Sequence, residues 1–258
     1  MNERHSERRD EQASRDPSLP DFLIIGTQKA GTTALMLNLA RHPEVFMAGR
    51  HGKPGELQFF NAYWRNGEDW YRQHFIHPEL IQGEKTPDYL ANHQAQLRMA
   101  GLVPHAKLIV SLRNPVDRAY SAWNHFNKDV YAESKGWERV PFEQAVHGTS
   151  GIFRHLLDYG RYAEHLRHLL RLYPRDRVHI IIAERMRLNP DAVFAHLLDF
   201  LEISPATAAF TNDYAQGYDE PMDTRTRATL FEAFSCLNAE LYRLLGFEIP
   251  EWAPSGLE

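Results

Sequence analysis

Between a short apolar run and a helical stretch the chain reads Gly26-Thr27-Gln28-Lys29-Ala30-Gly31-Thr32-Thr33. Glycines at both ends let the backbone pass close to an anion, and the amides that open a helix carry partial positive charge. Lys29 adds a full charge, and the hydroxyls of Thr32 and Thr33 add donors. Lys29, Ala30, Gly31, Thr32 and Thr33 are therefore the candidates for a phosphate cradle. In the nucleoside-triphosphate form of such a loop, GxxxxGK followed by Ser or Thr, lysine directly follows the second glycine. Here Thr32 holds that place and Lys29 lies two residues before Gly31, so the glycine spacing is kept and the lysine has moved. A turn without any anion would explain two glycines alone; a lysine and two threonines in the same turn favour the cradle. A second basic centre is Arg113, at the end of another apolar run, with Ser121 eight residues later. A guanidinium can hold a phosphate with two parallel hydrogen bonds, and a serine two helical turns further on can share the anion.

These side chains need elements to position them. Phe22 to Ile25 is a continuous apolar run of the kind buried on both faces of a parallel sheet; Leu108 to Leu112 and Val178 to Ile182 are predicted as further buried strands, and Ile81 to Glu84 as a fourth short strand. Helical spacing follows the first run through Leu35 and Leu39, stopping at His42-Pro43. It follows the second from Pro115, and recurs at Tyr162, Leu166, Leu169 and Tyr173. Two further helices are predicted, one from Asn189-Pro190 to Leu201 and one through Leu230, Phe234, Leu237, Leu241 and Leu244 to a stop at Gly246. The alternation gives an α/β fold, a single P-loop-like domain with a central parallel sheet flanked by helices. Residues 1–20 hold almost no apolar side chain and are expected to be a flexible tail, with the domain occupying residues 21–258. Gly49 to Tyr71 and Asn127 to Gly151 match no simple period and are expected to be lids or binding loops.

Composition narrows the function. The 258 residues carry 29 Lys plus Arg against 34 Asp plus Glu, a net charge of −5, which argues against a dedicated nucleic-acid binder. The single cysteine, Cys236, excludes an intrachain disulfide framework, and no apolar run reaches the ~20 residues of a membrane span. No secretory leader is visible before Pro20, so the expected location is the cytoplasm.

The cradle stretch, FLIIGTQKAGTTAL, resembles the 5′-phosphosulfate loop of the sulfotransferases that use PAPS (3′-phosphoadenosine 5′-phosphosulfate). The likeness is to the branch holding the heparan sulfate N- and O-sulfotransferases and many bacterial enzymes. KLIVSLRNPVDRAYSAW is similar to that family's 3′-phosphate motif, which makes Arg113 and Ser121 the grip on the 3′-phosphate. Gly55-Glu56-Leu57-Gln58-Phe59-Phe60-Asn61, followed by Asp69-Trp70-Tyr71, resembles the segment carrying the glutamate base. Glu84-Lys85-Thr86-Pro87-Asp88-Tyr89 is similar to the segment that brings a lysine to the reaction centre. The resemblance runs from about residue 20 to 253.

It implies transfer of a sulfuryl group from PAPS to a hydroxyl or amine of a carbohydrate, lipid or other small molecule, releasing PAP. Glu56 would be the base, in a cleft walled by Phe59 and Phe60 whose desolvation would raise its proton affinity. Lys29 and Lys85 would neutralise charge at the reacting centre, and the amides from Gly31 to Thr33 would hold the 5′-phosphate. No metal is expected, since the sulfuryl group carries less charge than a γ-phosphate. The chain departs from its relatives at Gln58, often a histidine there. It also lacks the animal enzymes' disulfide loop and Lys-Gly-Arg turn over the cofactor; Gly217 and Tyr218 take its place as the expected closing groups. Acceptor contacts are expected from Trp64 to Trp70 and Tyr131 to Trp137. The competing readings are a P-loop nucleotide kinase or NTPase and a non-catalytic nucleotide-binding protein.

Overall fold

The apolar run after Asp21 forms β1 (Phe22–Gly26), with every residue buried. A computed structural model of the chain describes residues 16–127, 139–147, 156–205, 209–211 and 221–253. Gly217, Tyr218, the stretch from Tyr131 to Trp137 and most of the expected tail lie outside the described residues.

From β1 the chain passes through the Gly26–Gly31 loop into α1 (Thr32–Leu39), then β2 (Val45–Met47), α2 (Glu68–Arg72), β3 (Ile81–Lys85) and α3 (His93–Leu102). It continues through β4 (Lys107–Leu112), α4 (Pro115–Phe126), α5 (Phe142–His147), α6 (Tyr162–Leu169), β5 (Val178–Ile182), α7 (Ala183–Leu188), α8 (Pro190–Leu201) and α9 (Thr224–Leu245). The five strands form one parallel sheet in the order β2-β3-β1-β4-β5. Alternation along β1 feeds two apolar layers. Leu23 and Ile25 point into a cluster with Leu108, Val110, Leu166 and Tyr173, while Phe22 and Ile24 point into another with Leu35, Leu39, Leu197 and Leu201. A third cluster joins α4, α5 and α9 through Val116, Ala119, Phe142, Leu230 and Phe234.

The order of the strands fixes where a ligand can bind. From β1 the chain goes to one side of the sheet for β2 and β3, then crosses to the other for β4 and β5. A crevice opens at the carboxyl ends of the strands where the direction reverses, between the neighbours of β1. The Gly26–Gly31 loop, Lys85 at the end of β3 and Arg113 just past β4 meet there.

Gly49 to Tyr71 is built differently from the lid expected of it. It contains a 3-10 turn at Arg50–Gly52, a π-helical turn at Phe59–Tyr63, a second 3-10 turn at Trp64–Asn66 and α2. Phe59 and Phe60 are completely buried. Phe59 stacks on Tyr71 with ring centroids 4.3 Å apart, and Trp64 and Trp70 pack around the pair. Burying this much aromatic surface ties the segment to the core. The two phenylalanines are thus core residues and form no cleft wall around Glu56.

Candidate active site

The backbone of the Gly26–Gly31 loop is moored to β4 and to Arg113 just beyond it. Thr27 donates its N–H to the Ser111 carbonyl at 2.7 Å, the Ser111 hydroxyl donates to the Ala30 carbonyl at 2.6 Å, and Arg113 donates to the Lys29 carbonyl at 3.1 Å. Ala30 is fully buried and its N–H is taken by the Thr27 carbonyl, so it shapes the loop from within. Gly31 has φ +80°, and a Cβ there would stand 2.6 Å from the Met186 methyl group. Only glycine combines that dihedral with that contact at the mouth of α1. No side chain caps this helix start, whereas Asn92, Asn114, Asn189 and Asp223 close α3, α4, α8 and α9. The first amides of α1 accordingly suit an external anion.

Three residues far apart in sequence converge at that helix start. Lys85 Nζ donates to Glu56 Oε1 at 2.6 Å and to Thr33 Oγ1 at 3.3 Å. The lysine side chain is 7% exposed and the glutamate 33%, so water screens this pair less than an exposed one. Gln58 donates its amide to the other Glu56 oxygen at 3.0 Å, leaving the carboxylate held from two sides.

Beneath them lies a carboxylate the sequence reading left without a role. Glu84, next to Lys85 on β3, is completely buried and accepts hydrogen bonds from the hydroxyls of Tyr71 and Tyr89, both at 3.0 Å, and of Thr86 at 3.1 Å. Burial pushes its carboxyl up to about 7, against the partial relief those donors give. Thr86 in turn accepts the backbone N–H of Gln58 at 3.1 Å, so the buried carboxylate holds the turn that carries Glu56 and Gln58. The sequence signal was the cluster of hydroxyls around it, at Tyr71, Thr86 and Tyr89, which reads as ordinary until the strand buries it.

Arg113 follows β4 and reaches the loop, while Ser121 lies on α4. The Arg113 carbonyl accepts the Tyr162 hydroxyl at 2.7 Å, and the next amide, of Asn114, donates to Glu184 at 3.0 Å. The Asn114 side chain caps α4 through Val116 and Asp117, and Ser121 follows two turns on, 6% exposed. A cavity of about 560 Å³ lies beside α4, lined by Tyr120, Trp123, Arg139, Phe142, Glu143 and Asp223 among others. Among the described residues, Lys29, Glu56, Lys85, Arg113 and Ser121 are not part of its lining. Among the described residues no group of three or more His, Cys, Asp or Glu side chains is arranged to hold a metal ion, and no helix is long and apolar enough to cross a membrane.

Comparison with known proteins shows the family of the chain. The sulfotransferase domain family matches residues 19–246. The chain belongs to that family. It is 36% identical over 212 residues to a bifunctional heparan sulfate N-deacetylase/N-sulfotransferase of Drosophila melanogaster, covering 73% of this chain and 20% of the fly protein. The corresponding mouse protein 3 is 31% identical over 281 residues, covering 93% of this chain and 32% of its own length. This sulfotransferase domain thus spans about a third or less of the curated relatives it matches. Among solved structures, a sulfotransferase from Alicyclobacillus acidocaldarius superposes with a TM-score of 0.76 at 24% identity, covering 92% of this chain and 99% of that one. A mouse sulfotransferase complexed with PAP superposes with a TM-score of 0.51 at 16% identity, covering 91% and 90%. Both share the fold of this sulfotransferase domain.

Proposed function

We propose that this domain transfers the sulfuryl group of PAPS to an acceptor amine or hydroxyl, with Glu56 as the base. The observation that carries the reading is the meeting of Glu56, Lys85 and Thr33 at the uncapped start of α1, in a chain whose family transfers sulfate. The uncapped amides and the moored loop fit a phosphate, and Lys29, Gly31, Thr32 and Thr33 would hold the 5′-phosphate of the donor, with Arg113 and Ser121 on its 3′-phosphate. Bound there, PAPS supplies an activated sulfuryl group.

The chain's own groups do the rest. Glu56 accepts the acceptor's proton, Gln58 keeps its second oxygen in place, and Lys85 spans the carboxylate and the helix start so that positive charge lies where negative charge develops. Relatives named as N-sulfotransferases make an amine one of the acceptors to test. A kinase reading is disfavoured by Thr32 standing where that class has its lysine.

The test compares thermal shifts with PAP, PAPS and ATP plus Mg²⁺, then PAPS turnover by Glu56→Gln. A ligand at 100 times its dissociation constant adds about 2.7 kcal/mol, or roughly 5 to 11 °C for a domain of this size. PAP and PAPS are expected to shift the melting point and ATP not to. Glu56→Gln is expected to keep PAP binding and lose roughly 100-fold or more in turnover. A shift with ATP alone would replace this reading by the kinase one.

A further inference from the structure

The peptide that joins Arg113 to Asn114 is held at both of its polar atoms. Its carbonyl accepts the Tyr162 hydroxyl at 2.7 Å, and its N–H donates to Glu184 Oε1 at 3.0 Å. A planar peptide gripped on both edges cannot swivel, so the direction in which the Arg113 side chain leaves the backbone is fixed. The same stretch sets α4, because Asn114 caps that helix and Pro115 opens it. Both grips lead to one residue near the end of the domain. Trp252 closes a 3-10 turn, Pro250–Trp252, and is 2% exposed. Its Nε1 donates to Glu184 Oε2 at 2.9 Å, and its ring packs against that of Tyr162 with centroids 5.8 Å apart. An indole nitrogen only donates and a carboxylate only accepts, so this bond defines how the Glu184 carboxyl is turned toward Asn114. Arg185 ties the same turn to α7 by pairing with Glu251 at 2.8 Å, a link that passes through neither grip.

We propose that Trp252 is a positioning residue for the donor's 3′-phosphate: through Glu184 and Tyr162 it orients the peptide from which Arg113 reaches the anion. The proposal rests on the sulfuryl-transfer reading above, in which Arg113 holds that phosphate, and adds a residue that acts through others. Loss of the indole N–H leaves the Glu184 carboxyl free to rotate, and the Asn114 amide and the Arg113 side chain lose their fixed direction with it. The effect falls on the 3′-phosphate, because the loop that receives the 5′-phosphate has its own ties to Ser111 through Thr27 and Ala30.

The test compares the affinity of the full chain for PAP and for AMP, which differ only by the 3′-phosphate, using titration calorimetry with AMP measured in competition against PAP. Trp252→Phe keeps an aromatic ring beside Tyr162 and removes the N–H donor. It is expected to lower the ratio of PAP to AMP affinity about 3- to 10-fold while AMP affinity stays as in the wild type. Glu184→Gln, which has one accepting oxygen in place of two, should lower the ratio by a similar factor. The double variant should lose no more than either single one, because one chain of contacts is cut twice. Tyr162→Phe, which frees the Arg113 carbonyl, lowers the ratio as well. Arg185→Ala loosens the same turn by its other tie and is expected to leave the ratio at its wild-type value, as a general loss of stability would. An unchanged ratio in Trp252→Phe overturns the proposal, and if that variant does not fold, an unchanged ratio in both Glu184→Gln and Tyr162→Phe does so. Additive losses in the double variant, or an equal fall in Arg185→Ala, overturn it too. Arg113→Ala separates the proposal from its premise: a ratio unmoved by that substitution would remove the 3′-phosphate reading itself.

Discussion

Replacing Glu84 by Gln isolates the cost of holding a carboxylate in the aromatic core. The carboxyl rises from 4.5 to about 7 on folding, so the native state binds more protons than the unfolded chain between those values. Its contribution to stability is complete below pH 4.5 and is lost as pH rises through 7. The shift corresponds to about 3 kcal/mol between pH 4.5 and pH 8. Glutamine has the same shape, its oxygen can accept from Tyr71 and Tyr89, and it does not titrate. The difference in unfolding free energy, Glu84→Gln minus wild type, should therefore move in favour of the variant by about 3 kcal/mol from low to high pH. Urea unfolding at pH 5 and pH 8 measures it directly, and the melting points should diverge by roughly 6 to 12 °C over the same span. His165, His168 and His179 are pushed down by burial and act in the opposite direction, losing stability as pH falls below 6.5. They are common to both proteins and cancel in the difference. A stability difference independent of pH would show that Glu84 ionises as freely in the fold as in water, and would refute the account of the network under Glu56.

Arg113→Ala is expected to weaken PAP about 10- to 100-fold and ADP, which lacks the 3′-phosphate, much less; titration calorimetry that finds equal losses would mean Arg113 acts only through the Lys29 carbonyl. Gly31→Ala should destabilise the fold by roughly 1 to 3 kcal/mol in urea unfolding, from its positive φ and the Met186 contact. Met186→Ala in the same chain should recover only the steric share, and full recovery would show that the dihedral costs nothing. PAPS turnover in EDTA should equal that without chelator; activity lost and then restored by Mg²⁺ would overturn the expectation that this transfer needs no metal.

β1, β4 and β5 were legible because their sequences are mainly apolar, and all three begin and end within a residue or two of the predicted limits. β2 was not, since three residues with a half-buried centre give no period. α3 hid because its inward face is Ala95, Gln96 and Met99, with Gln96 fully buried through bonds to the carbonyls of Leu90 and His165. Lys85 and Glu56 were found by motif, and their contact could only come from folding, because 29 residues separate them in sequence. The roles of Phe59 and Phe60 went astray for a related reason. The segment matches no simple period, and its π-helical turn, which buries both rings, has no sequence signature of its own.

Glu84 and Lys85 are neighbours on one strand, yet they face opposite sides of the sheet, as Leu23 and Ile24 opposite them do. A slip of one residue in the pairing of β3 with β1 would thrust a lysine among Tyr71 and Tyr89 and turn the carboxylate toward the phosphate loop, where it would repel an anion. Gly83 guards against this error as well, because any side chain there would strike the Phe22 ring at 2.3 Å. Chains that misalign this strand are thus both unstable and unable to hold a donor, so the two charges act as a checksum on assembly.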